Sequence, residues 1–264
     1  MPHSNSIAVP QATRAERVML AIALTLPTLV TWLYFVALAE RPTAVQQGAY
    51  GVGKVVQFAL PVLWVGCLAG LCSRSQSQGS RSQPQPKSQI APGRRDLQSV
   101  GLGLAFGIAV MGAMAGLYYF CLKPAGLFDG PMLEVQAKVA SFGIRSAAGY
   151  VALAMFYSLA HSLLEEYYWR WFVFGHCCRS LRPTTAVLLS GVGFAAHHVL
   201  VLGAYFGYGS PLTWLFSAGI VIGGVFWAWL YRRSGSLIGP WLSHALVDAA
   251  IFVIGWDLVR FSWA

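Results

Sequence analysis

Charge is what this chain has least of. Only 10% of its 264 residues are Asp, Glu, Lys or Arg, and nine of them are acidic. Soluble domains carry roughly 25% charged residues. With 56% hydrophobic residues and a mean hydropathy of +0.58, the chain reads instead as an integral membrane protein. Cysteine is also sparse. The five cysteines (Cys67, Cys72, Cys121, Cys177 and Cys178) are odd in number and lack zinc-ribbon spacing. They read as small buried hydrophobes, with the vicinal Cys177-Cys178 pair as the redox candidate. The H-E-x-x-H pattern is missing, which leaves a soluble-type zinc protease unsupported. Gly101-x-Gly103 lacks the strand-to-helix setting of a nucleotide fingerprint, and no internal repeat is present.

The net charge of +9 does not point to nucleic acid, because no folded polar module presents a basic face. The excess is local. Arg74, Arg81, Lys87, Arg94 and Arg95 fall in one loop, and Arg179, Arg182, Arg232 and Arg233 sit at helix ends. Such loop charge sets membrane orientation.

Apolar runs of bilayer-crossing length, about 20 residues, predict an all-α polytopic transmembrane bundle of about seven spanning helices. Their expected positions are 18–39, 52–72 with a kink at Pro61, 100–122, 148–178, 186–206, 212–231 and 237–258. Residues 1–16 are expected to be a disordered N-terminus. The stretch 73–96, rich in Ser, Gln, Pro and Arg, reads as a basic flexible loop within an N-terminal region of 17–147. The segment 131–145 is a candidate interfacial helix, and 148–258 reads as a C-terminal transmembrane region. The first helix is expected to be retained, since its apolar run exceeds a signal-peptide core. The cation-rich loops place the N-terminus in the cytoplasm, and the expected location of the chain is a bacterial plasma (inner) membrane.

What the spans do contain is six ionisable residues: Glu165, Glu166, Arg170, His198, His244 and Asp248. Each costs about 2.5–3.5 kcal/mol at the centre of a spanning helix on insertion scales. Glu166 and Arg170 are four apart, as are His244 and Asp248, so each pair shares a helix face. Following the chain back and forth brings the three groups to one cavity in the cytoplasmic half of the bilayer, with His198 about 18 Å along its span. Adjacent glutamates point about 100° apart. Glu166 is therefore expected to pair with Arg170, leaving Glu165 to face the cavity one turn from His161. A carboxylate with few neighbours in a low-dielectric site suits a general base. Of the adjacent His197 and His198, one should line the cavity, and Asp248 can hold His244 in one tautomer. Water attack on a carbonyl needs a base and oxyanion donors. Glu165 and His198 can supply the first and His244 the second. The same side chains are zinc-ligand types, so zinc is the candidate cofactor. The aromatic stretch Tyr167, Tyr168, Trp169, Trp171 and Phe172 reads as an interfacial belt. The glycines at 101, 103, 107, 219, 223 and 224 read as close-packing positions.

Glu165-Glu166-x-x-x-Arg170, Phe194-x-x-x-His198 and His244-x-x-x-Asp248, in that order and within membrane helices, resemble the three motifs of the CAAX-protease and bacteriocin-processing (CPBP, Abi) family. That family includes the Ras-converting CAAX endopeptidases. The resemblance runs from about Ser158 to Ile251. It implies an intramembrane endopeptidase whose pocket opens to the cytoplasmic leaflet and whose substrate is a membrane-associated protein or peptide. Glu165 and His198 would activate water, His244 and Asp248 would stabilise the oxyanion or its histidine donor, and Glu166 and Arg170 would complete the pocket. Two departures stand out. Asp248 replaces the Asn of the eukaryotic enzymes, and Trp171 follows the arginine where glycine is usual, which reshapes the entrance. The competing readings are a non-catalytic scaffold or immunity-type interaction protein on the same fold, and a proton- or cation-coupled carrier.

Overall fold

A computed structural model describes residues 13–76 and 94–263. The expected disordered N-terminus and basic loop fall largely on residues outside these. The described part is all-helical, at 88% helix with no strands among the described residues. Seven helices are long and apolar enough to cross a membrane: Arg14–Ala37, Thr43–Cys67, Arg95–Leu122, Ala147–Ser180, Pro183–Phe206, Pro211–Ser234 and Ile238–Trp263. They are numbered here as spans one to seven.

Span one begins at Arg14, inside the stretch expected to be disordered. Thr13 accepts from the Glu16 backbone and the Glu16 carboxylate reaches back to Thr13, a capping box that satisfies free amides of the first turn. The helix of span two runs unbroken through Pro61 from Thr43 to Gln76. A separate helix, Asp129–Ser141, connects spans three and four.

Two contacts fix which helix ends share a face. Arg179 at the end of span four lies 3.5 Å from Glu16 at the start of span one. On the opposite face, Gln47 of span two donates to the Ser141 carbonyl of the connector helix. The main core joins Met19 and Ala23 of span one to Tyr168, Trp169, Phe172 and Val173 of span four, with Phe194 and Trp227 from spans five and six. Tyr168 also donates to the Ala23 carbonyl at 2.7 Å. A second core packs the connector helix against Tyr118, Tyr150 and Leu258.

Tyr168, Trp169 and Phe172 are thus at most 1% exposed. The aromatic stretch is bundle core and not an interfacial belt. Its rings fall on the face that span four turns to spans one, five and six, while Trp171 alone of the five is exposed. Of the glycines read as packing positions, Gly103 lies against the Gly239 backbone and Gly224 against Gly191, where a Cβ would collide. A Cβ added at Gly101 or Gly219 would meet no atom of another helix within 4 Å among the described residues.

Candidate active site

Span four is not a uniform helix. The short α-helical turn Ser162–Glu166 lies between two π-helical stretches, Phe156–His161 and Tyr167–Phe174. Their i→i+5 bonds put an extra residue in each turn, a distortion common at functional sites. The glutamate pair sits in the regular turn between them, with Glu165 3% and Glu166 0% exposed.

Glu165 is ringed by nitrogen. Its Oε1 lies 3.6 Å from His197 Nε2, 3.9 Å from His161 Nε2 and 4.0 Å from Lys54 Nζ, and its Oε2 lies 3.8 Å from His244 Nε2. All four separations exceed a direct hydrogen bond, so a third group can be held between the partners. Glu166 does the tight work. Its Oε1 meets His244 Nδ1 at 2.9 Å and its Oε2 lies 3.1 Å from Arg170 Nε. The latter is an ion pair out of hydrogen-bond alignment, since both Arg170 Nη atoms and Nε are buried without a hydrogen-bond partner among the described residues. The guanidinium lies instead against the rings of Phe194 and Trp227, at 4.8 and 5.2 Å.

His244 stacks on Trp227 with centroids 4.2 Å apart. The Trp227 Nε1 in turn donates to Ser243 Oγ, which locks the indole. Asp248 Oδ1 stands 3.6 Å from His244 Nε2. Glu166, from another span, therefore orients the imidazole through Nδ1, where the spacing alone had suggested Asp248. The aspartate side chain one turn on reaches only the far nitrogen. A proton on Nε2 would be shared between Glu165 and Asp248.

The adjacent histidines do diverge. His197 points Nε2 at Glu165 and lies parallel to Trp169. His198 bonds its Nδ1 to the Phe194 carbonyl at 2.9 Å. A carbonyl only accepts, so Nδ1 carries the proton and Nε2 is left as an acceptor. The ion-pair contacts of Glu165 run to His161, His197, His244 and Lys54, not to His198, whose ring centre lies 4.0 Å from that of His197. The fold thus brings Glu165, Glu166, Arg170, His244 and Asp248 into one buried cluster, with His198 at its edge.

Residues 147–250 match the family described as Rce1-like, type II CAAX prenyl endopeptidase Rce1-like. The match supports a CAAX-protease-family reading of that segment. No curated protein and no solved structure matches the chain. The matched segment holds every one of the six ionisable residues singled out in the sequence, and also His161 and His197. Lys54 lies outside it, on span two, and went unnoticed because a lone lysine in an apolar helix belongs to no motif. Gln57, one turn further on, is fully buried with both amide atoms unpartnered among the described residues.

Zinc-ligand side chains are present here but not assembled. Among the described residues, no group of three or more His, Cys, Asp or Glu side chains is placed to hold a metal ion.

Proposed function

We propose that this integral membrane protein is an intramembrane endopeptidase that hydrolyses a peptide bond by glutamate- and histidine-activated water, near the cytoplasmic membrane face. The observation that carries the reading is the buried carboxylate of Glu165 within 3.6–4.0 Å of three imidazoles and a lysine. Glu165 takes the proton of the attacking water, with His198 Nε2 as a second acceptor. The hydroxide equivalent adds to the scissile carbonyl, and His244 Nε2 donates to the oxyanion. Glu165 then returns the proton to the leaving amine. Glu166 holds the His244 ring through Nδ1, as second-partner hydrogen bonds fix a catalytic imidazole. Arg170 keeps Glu166 compensated in the dry core. Asp248, on the Nε2 side, limits where the His244 ring can swing. The substrate is a membrane-associated protein or peptide. The cation-rich helix ends support a cytoplasmic N-terminus.

The test compares cleaved termini in the membrane proteome of cells carrying the wild type or Glu165→Gln. A set of termini that disappears with Glu165→Gln supports the reading, and an unchanged set refutes it. Retained partner capture by a Glu165→Gln/His198→Ala variant, together with unchanged termini, would favour the scaffold instead.

A further inference from the structure

The buried cluster has an electrostatic imbalance within the matched segment itself. Glu165, Glu166 and Asp248 gather around His244, while Arg170 is the one arginine that the 147–250 segment brings into the cluster, and it is spent on Glu166. An uncompensated carboxylate in such a place is expensive to keep ionised. The second fixed positive charge comes from span two. Lys54 Nζ stands 4.0 Å from Glu165 Oε1, with its side chain 13% exposed, and the rings of Tyr50 and Phe58 flank it at 5.5 and 5.6 Å. Its placement is built into the helix contact. At Gly53 a Cβ would come within 2.7 Å of Val30 on span one, so only glycine lets span two seat closely at the level of Lys54.

We propose that Lys54 is a positioning residue that keeps Glu165 ionised and holds its carboxylate facing His197 and His244. The role rests on the proteolytic reading for its purpose, but not for its measurement. The groups facing Glu165 are Lys54 and Tyr50 from span two, Tyr157, His161, Glu166 and Arg170 from its own span, His197 and His198 from span five and His244 from span seven, with Asp248 behind His244. Lys54 is the one lysine or arginine within 4.0 Å of its carboxylate among the described residues.

The test is infrared spectroscopy of the full chain in lipid nanodiscs at neutral pH, with the Glu165 band identified by its loss in Glu165→Gln. The wild type should show an ionised carboxylate. Lys54→Met should convert it to the protonated acid, and Lys54→Arg should restore it. Glu165-dependent cleavage should fall at least tenfold in Lys54→Met and recover in Lys54→Arg. A folded Lys54→Met protein with an unchanged Glu165 band overturns the proposal. If Lys54→Met does not fold, adding Glu165→Gln decides: recovery of the folded chain supports the charge pairing, and failure to recover overturns it. A band that shifts as expected in a protein with no Glu165-dependent termini would sustain Lys54 and sink the protease reading.

Discussion

Spans four to seven and spans one to three are built from the same apolar alphabet but carry their charges differently. In the first group the motif side chains are buried and meet across helices. Arg170 and Glu166 are both fully buried, and His244 touches carboxylates from two spans. The ion pairs that the second group makes outside that cluster sit at the rims and reach the ends of the first: Glu16 with Arg179, and Lys123 with Asp257, where Tyr118 and Arg260 join. Lys54 is the exception, a residue of the second group working inside the first. The difference shows that insertion cost is tolerated where buried charges compensate one another, and avoided elsewhere by keeping charge at helix ends.

Five substitutions break or sharpen this contrast. The largest effect is expected at Glu165, where Glu165→Gln keeps the shape and removes the base. Site-dependent cleavage should fall by about 10³-fold, read as loss of the dependent termini. Next, Arg170→Met leaves Glu166 buried without its countercharge and should destabilise by about 3 kcal/mol or more. The measurement is the thermal midpoint in detergent, and a midpoint equal to wild type would mean the cluster does not depend on that charge. The adjacent histidines separate third. His198→Ala removes an imidazole with a free acceptor nitrogen and should cost cleavage about 10²-fold. His197→Ala removes only a partner that steadies Glu165, so about tenfold is expected. The reverse order of losses would exchange their roles. Smallest is Lys123→Ala at the rim. Its side chain is 48% exposed, and the expected loss is about 1 kcal/mol or less, measured by the same thermal scan. A loss as large as that of Arg170→Met would erase the distinction between rim and core.

Much of this was legible in the residues. Length and hydropathy placed all seven spans, with ends off by as many as nine residues at the start of span two, because crossing a bilayer is a local property of about 20 consecutive side chains. The capping box at Thr13 and Glu16 was readable too, yet the polar composition of the N-terminus outweighed it. The helical spacing of Glu166 with Arg170 predicted their contact correctly. The same rule applied to His244 and Asp248 named the weaker of two partners, because it sees only one helix at a time. The aromatic run after Glu166 misled for the same reason: composition shows that rings are present, not which way the helix turns them.

The sequence by itself determined that the chain reads as an integral membrane protein with about seven apolar spans, and where along those spans its costly side chains fall. The tertiary structure decided which oxygen meets which nitrogen. It gave His244 Nδ1 to Glu166, turned His197 toward Glu165 and His198 toward the Phe194 carbonyl, and brought Lys54 in from a helix outside the motifs. The physical reason is rotation about the helix axes. Hydropathy fixes position along the membrane normal, but the facing of each side chain is set by the π-helical turns of span four and by close contacts such as Gly53 against Val30. Those depend on partners far away in the sequence.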